Sequence, residues 1–476
     1  MKRGKKPSRV LSGVTVVAVM TAPYPCPHGR CAYCPGGPDL GTPQSYYGEE
    51  PALMRASKVN YDPYEQVRVR LRQYEFLGYR PSKVDVIVMG GTFTALPEWY
   101  QEWFVTSLFE AFNNYPRDRS EVLPSLEEAH LRNETANVRV VGLTFETRPD
   151  QVSERTVNRM LYLGGTRVEM GVQSIYDDVL RIVERGHGVR DVVRATQMLK
   201  DSGFKVVYHI MPGLPGSGYL RDLEMVKELF MNDDFRPDML KIYPTLVVKG
   251  TKLYDWWIEG KYKALTDEEA VELISEMYRY IPKWVRVMRV QRDLPAKYIE
   301  AGPKMGNLRE LVELRALSKG IKINEVRFRE VGRSLYRGKR LGKVDLLITK
   351  YEASGGVEIF ISAEDVVNDI LVGLIRVRIP SDKAFRPEVD GKTAIVRELH
   401  VYGPQLPVSE KPTDYDTQHI GVGSKLLMKA EEIVLEEYDR TKMLILSGVG
   451  AREYYRKLGY FREANSPYMV KLLSQN

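Results

Sequence analysis

Cys26-Pro27-His28-Gly29-Arg30-Cys31-Ala32-Tyr33-Cys34 holds all three cysteines of this 476-residue chain and follows the β-rich run Val14–Met20. Three thiolates this close suit an iron–sulfur cluster with three protein-bound irons and one open iron site. A closed four-cysteine site is excluded by count. Zinc with His28 as fourth ligand stays open, because sulfur and imidazole both suit it, and chance grouping is the plain alternative. The stretch decides the fold through its position just past a strand, where a parallel βα barrel carries its active-site loops.

Outward from there, β-rich runs recur at Val84–Met89, Val138–Phe145, Val168–Val172, Val206–Ile210 and Met239–Tyr243, with Val285–Val290 as a possible seventh. Helical segments with readable ends lie between them. Asp62-Pro63 offers an N-cap with proline at the first helical position. Asp150 is expected to cap a segment ending at Gly164-Gly165, and Thr266 to Glu269 has capping-box spacing. Strand, helix, strand in this order predicts parallel βα units and a full or partial barrel. After about residue 342 the runs Val344–Thr349, Val357–Ile361, Ile370–Ile379 and Thr393–Tyr402 predict a second, mainly antiparallel domain. Its helix places Leu426, Leu427, Ala430, Ile433 and Val434 on one face.

Apolar residues make up 43% and charged residues 28%, which excludes a disordered chain, a collagen-like repeat and a coiled-coil rod. No apolar run reaches the ~18 residues needed to span a bilayer, and the basic N-terminus lacks a signal-peptide core. The expectation is a cytoplasmic protein with no membrane partner. Net charge is +7, but residues 279–340 alone carry 17 Lys or Arg against 6 Asp or Glu. Such asymmetry favours a polyanionic partner, most simply nucleic acid.

The second domain has its own motif. Gln418, Gly421, Val422, Gly423 and Ser424 open the amphipathic helix, where free backbone N–H groups and the helix dipole suit a pyrophosphate. Glu398-Leu399-His400-Val401 ends the preceding β run, and Tyr455 follows in a short helix.

The cysteine stretch resembles the radical S-adenosylmethionine (SAM) superfamily, with one residue more than the usual spacing between its first two cysteines. Gly90-Gly91-Thr92 looks like that superfamily's glycine pair, which meets the methionine amino group. The phosphate loop resembles GNAT-type acetyltransferases, in which the strand before the loop aligns with pantetheine and the later tyrosine lies near the thioester. Both halves together resemble the catalytic subunit family of Elongator, through Cys31–Asp39, Gln44-Ser45-Tyr46, Tyr61–Gln66, Met89–Phe93, Arg289–Asp293, Glu398–Gly403 and Ser447–Gly450. The resemblance implies an α/β fold: a partial parallel barrel of radical SAM type (14–290) after a basic segment (1–13), then a basic linking region (291–342) and an α+β GNAT domain (343–476).

It also implies a function. The enzyme would add a carboxymethyl group to C5 of the wobble uridine of tRNA, with a [4Fe-4S] cluster on Cys26, Cys31 and Cys34, SAM as radical source and acetyl-CoA as carbon donor. The acetyl methyl is a poor acid and uridine C5 a poor nucleophile, so radical chemistry is what can join them. Lys83 is expected, by resemblance alone, to contact acetyl-CoA. Expected partners are tRNA, a reductant for the cluster, and a second copy or accessory subunits. The basic N-terminal segment is shorter than is common in the family, and cysteines for a further zinc site are absent from the linking region. Arg286, Arg289 and Arg292 are expected to be exposed and to bind tRNA phosphates. The alternative is a protein-lysine acetyltransferase with a structural iron–sulfur domain.

Overall fold

The computed structural model describes residues 12–403 and 421–474. Seven strands form one all-parallel sheet in chain order: β1 (Thr15–Met20), β2 (Lys83–Met89), β3 (Arg139–Thr147), β4 (Arg167–Gln173), β5 (Lys205–Ile210), β6 (Met239–Ile242) and β7 (Arg286–Val290). The run at 285–290 is thus a seventh strand. The crossover helices bury one face each, as Val192, Ala195 and Leu199 do from the helix Val189–Asp201. Local signals set several helix starts: the Asp62 side chain accepts from Glu65 N at 3.0 Å, and Thr266 and Glu269 close a capping box. Asp150 does not cap its helix. It sits in a 3₁₀ turn, and Ser153, boxed with Thr156, caps Glu154–Tyr162 instead.

The second sheet is mixed. Its antiparallel strands β8 (Asp345–Ala353), β9 (Gly356–Asp365), β10 (Ile370–Ile379) and β11 (Thr393–Val401) are followed by β12 (Lys442–Ile445), parallel to β11, then β13 (Phe461–Arg462) and β14 (Met469–Leu472). Across it packs the 17-residue helix Val422–Tyr438, which buries the five residues expected. Residues 308–323, within the basic stretch, bury Leu308, Val312, Ala316, Ile321 and Ile323 in the barrel's own core.

The two sheets are welded together. Ile395, Leu444, Leu446 and Val449 belong to the barrel's apolar cluster. Beside it runs a buried ionic seam: Arg397 grips Asp238 with two bonds of 2.6 and 2.7 Å and also reaches Glu358, while Arg378 pairs with Asp201 at 2.6 Å. Mutual hydrogen bonding offsets the desolvation cost of such charges, so removing one partner leaves an uncompensated buried ion. The phrase Ser447-Gly448-Val449-Gly450 has a steric origin here. A Cβ on Gly448 would lie 2.2 Å from Val141 O, and one on Gly450 would lie 2.5 Å from Arg139 Cβ.

Candidate functional site

Two cavities use opposite ends of the parallel sheet. At the C-terminal strand ends, a cavity of about 170 Å³ is lined by Cys26, Cys31 and Cys34. N–H donors approach two of the sulfurs: Gln44 Nε2 lies 3.3 Å from Cys34 Sγ, and Arg185 Nη1 lies 3.5 Å from Cys31 Sγ. His28 Nε2 lies 3.1 Å from both Cys31 Sγ and Arg148 Nη1. Burial and the charges of Arg148 and Arg185 push His28 down to about 4. Burial pushes the Cys34 thiol up to about 11, an effect that metal ligation reverses by removing the proton outright. Three thiols, converging N–H donors and adjoining open space fit a three-cysteine cluster with one open iron.

The strands supply the rest of this end. Glu146 of β3 accepts from the Tyr46 hydroxyl at 2.8 Å and lies 3.4 Å from Gly90 N. Glu169 of β4 accepts from Lys241 of β6 and lies 2.9 Å from His209 Nε2 of β5. It is fully buried, and although burial opposes ionisation, Lys241 and His209 hold it well below the usual carboxylate range. The glycine pair is a steric necessity. Gly90 and Gly91 have φ of +139° and +97°, and a Cβ on Gly90 would lie 2.0 Å from Thr21 Oγ1.

At the N-terminal strand ends, facing the second sheet, lies a larger cavity of about 580 Å³. Lys83, Glu398, Leu399, His400, Val401, Gly421, Gly423, Ser424 and Tyr455 all line it. Five cationic side chains, Lys83, Arg139, Arg167, Lys205 and Lys457, face three carboxylates across it, a balance suited to a polyphosphate; Arg397 is committed to Asp238 and Glu358. Burial and Arg139 lower Lys83 from the ordinary lysine range. Gly421 (φ +83°) begins the helix in a left-handed conformation, and a Cβ on Gly423 would lie 2.7 Å from Tyr454 Oη. Val422 instead packs into the second core. Gln418 lies outside the described residues.

One layer of side chains divides the two cavities. On β4, Arg167 lines the N-terminal cavity and Glu169 the C-terminal one; alternate residues of a strand share a face ~7 Å apart. Arg167 pairs with Asp85 at 2.8 Å, as Glu169 does with Lys241. Asp85 Oδ1, Thr144 Oγ1, Arg167 Nε and Glu169 Oε1 are buried there without a hydrogen-bond partner among the described residues. The dividing layer is polar and incompletely satisfied.

Sequence reasoning assigned no role to Glu146, Glu169, Arg185, His209 or Lys241. For the four on strands the signal was a charged or polar residue inside an otherwise apolar run; Arg185, in the loop after the helix Asp177–Ile182, carried none. The arginines expected at an exposed tRNA surface are partly overturned. Arg286 is buried against Glu330 at 2.9 Å and against Tyr402 Oη of the second domain at 3.3 Å. Arg292 is held by Glu50 at 2.8 Å beside the cysteine cavity. Arg289, paired with Asp293, keeps 42% of its side-chain surface exposed. A charge count includes Glu330 but not its contact with Arg286, and Glu50 lies outside the counted stretch.

Residues 23–229 match the radical SAM superfamily and residues 237–317 the radical SAM C-terminal domain, so by sheet and cysteine site this is a radical SAM protein. A tRNA uridine(34) acetyltransferase of Methanocaldococcus infernus is 50% identical over 96% of this chain and 86% of its own length. Elongator complex protein 3 of Homo sapiens is 46% identical over 98% and 86%. The solved structure of M. infernus Elp3 with an N-terminal deletion matches with a TM-score of 0.84 and 46% identity, covering 97% of this chain and all of that one. The chain belongs to the Elongator complex protein 3 family. These relatives do not favour the protein-lysine acetyltransferase alternative. Among the described residues no helix is long and apolar enough to cross a membrane.

Proposed function

We infer that this chain modifies the wobble uridine of tRNA, uridine 34, adding a carboxymethyl group at C5 with acetyl-CoA as carbon donor. The observation that carries this is the pair of cavities on one sheet: a three-cysteine cavity at one end and, one side-chain layer away, a cationic cavity lined by a glycine-rich helix start. Cys26, Cys31 and Cys34 would hold the cluster and leave one iron free for SAM. When bound, cluster and SAM supply hydrogen abstraction from an unactivated C–H bond.

The chain's own residues position and insulate. Gly90 and Gly91 let the backbone approach a ligand, and Glu146 fixes the Tyr46 hydroxyl beside them. Lys241 and His209 keep Glu169 ionised, presenting a fixed ammonium–carboxylate pair in place of water. Lys83 would pair with a CoA phosphate as a point charge. Glu398 to Val401 would align the pantetheine, Gly421 to Ser424 would take the pyrophosphate, and Tyr455 would close on the thioester end. Gln418 is assigned to the same loop.

Cavities at opposite ends of a sheet impose a condition: the acetyl end must cross the layer formed by Asp85, Thr144, Arg167 and Glu169. Such a layer, with polar atoms awaiting partners, admits a polar thioester where a dry Leu/Val barrel core would not. The deciding experiment is mass spectrometry of tRNA nucleosides after anaerobic incubation with acetyl-CoA, SAM and a reductant. Carboxymethyluridine at position 34 is the expected product. Acetylated lysine on a protein substrate that survives loss of the three cysteines would refute the assignment.

A further inference from the structure

The short helix Arg452–Arg456 turns Tyr454 and Tyr455 toward the N-terminal cavity and Arg452 toward a separate cleft of about 180 Å³, in the seam between the barrel helices and the second sheet. Three guanidinium groups line that cleft, and each keeps donors in reserve. Arg452 is 3% exposed; its Nη1 bonds Glu134 Oε1 at 3.1 Å, and its Nε is buried with no partner. Arg386 gives Nη2 to Glu388 at 2.6 Å and Nη1 to Asn158 Oδ1, while its buried Nε has none. Arg462 gives Nε to Ser466 O at 2.8 Å, with no carboxylate at ion-pair distance among the described residues. Among the described residues, His130 is buried beside them with Nε2 unpartnered, and the one acidic lining residue is the exposed Glu127.

Buried donors without acceptors are costly, and their convergence on one cavity calls for an acceptor-only ligand. The guanidinium fork matches an oxyanion, and three such forks match a dianion better than a carboxylate. The local field is positive: burial, then the charge of Arg462, presses Arg452 down to about 10, and burial with Arg452 and Arg462 presses His130 down to about 3. We propose that this seam cleft is a binding site for one phosphate group, distinct from the acetyl-CoA cavity, supplied either as a free phosphate or by an RNA backbone.

The test melts the full chain in inorganic phosphate and in chloride at equal ionic strength, with CoA saturating so that its own phosphate loop is filled. Wild type is expected to gain about 1.5 °C at phosphate roughly ten times its Kd. Arg462→Gln should abolish the gain without changing the Tm in chloride, and Arg462→Lys should restore part of it. An equal gain in Arg462→Gln, or no gain in wild type, overturns the proposal. Binding of tRNA then separates the sources. If the RNA backbone fills the cleft, inorganic phosphate competes with tRNA and Arg462→Gln weakens tRNA binding several-fold; if the ligand is free, tRNA affinity is the same in both proteins while the phosphate gain persists.

Discussion

The two ends of the parallel sheet are built in different ways. At the C-terminal end most charges meet a partner at once: Glu169 meets Lys241 and His209, Arg292 meets Glu50, and Glu146 meets the Tyr46 hydroxyl. At the N-terminal end cations outnumber carboxylates in a cavity more than three times larger. A compensated, narrow end suits chemistry that must exclude water and stray protons. A wide end with cations in excess suits a soluble polyanion that arrives and leaves. One sheet thus separates reaction from supply, and the dividing layer is where they must communicate.

The sharpest way to break this division is to remove one end. Cys31→Ser should abolish both the uptake of about four irons on anaerobic reconstitution and the cleavage of SAM, while CoA affinity stays as in wild type. If CoA binding collapses with the cluster, the ends are not independent. Next in size is Arg286→Glu, which places two carboxylates together against the second domain. A stability loss of about 3–5 kcal/mol is expected, read from denaturant midpoints. Arg289→Glu, at a half-exposed position, should shift stability by less than about 0.5 kcal/mol and weaken tRNA binding instead.

How much of this was legible depended on whether partners were neighbours in sequence. The cysteines and the loop Gly421 to Ser424 are contiguous, so one stretch of chain carried each signal. Glu169, His209 and Lys241 come from three strands, and nothing short of the pairing β4–β5–β6 brings them together. Arg286 was misread for the same reason, since Glu330 lies 44 residues on. Asp150 lost its cap to a local competitor three residues away, because Ser153 and Thr156 satisfy each other reciprocally. Alternation of strands and helices carried the barrel. That its two ends would serve two ligands followed only once Arg167 and Glu169 were seen to line different cavities.

The dividing layer can be tested directly. A Cβ on Gly142 would lie 2.8 Å from Asp85 Oδ1, so Gly142→Val crowds the layer where it meets the N-terminal cavity, away from the loop Gly421 to Ser424 and from the cysteines. CoA affinity and SAM cleavage should stay near wild type. Transfer of deuterium from methyl-labelled acetyl-CoA into the adenosyl product should fall about thirtyfold, roughly 2 kcal/mol. Unchanged transfer would mean the acetyl group takes another route. Gly423→Val should act on supply alone. Its new Cβ meets the Tyr454 hydroxyl, the free end of a side chain that can swing, so acetyl-CoA affinity is expected to fall only about tenfold (~1.4 kcal/mol).

A pH effect probes the seam between the barrel helices and the second sheet. His130 packs edge-on to Phe109 and is held neutral, down to about 3, by burial and by Arg452 and Arg462. Its unfolded value is the ordinary 6.5, so between these limits the unfolded chain binds the proton and the folded chain does not. Stability from this group is therefore complete above pH 6.5 and is lost as pH falls toward 3, at a slope approaching ~1.36 kcal/mol per unit. In chloride buffer, with no phosphate to fill the neighbouring cleft, lowering pH from 7 to 5.5 should cost wild type about 1.4 kcal/mol more than His130→Gln. The comparison is between slopes, so any constant penalty of the substitution cancels. Parallel slopes would mean that His130 is already charged in the fold and that the seam, like the reaction end, compensates its charges.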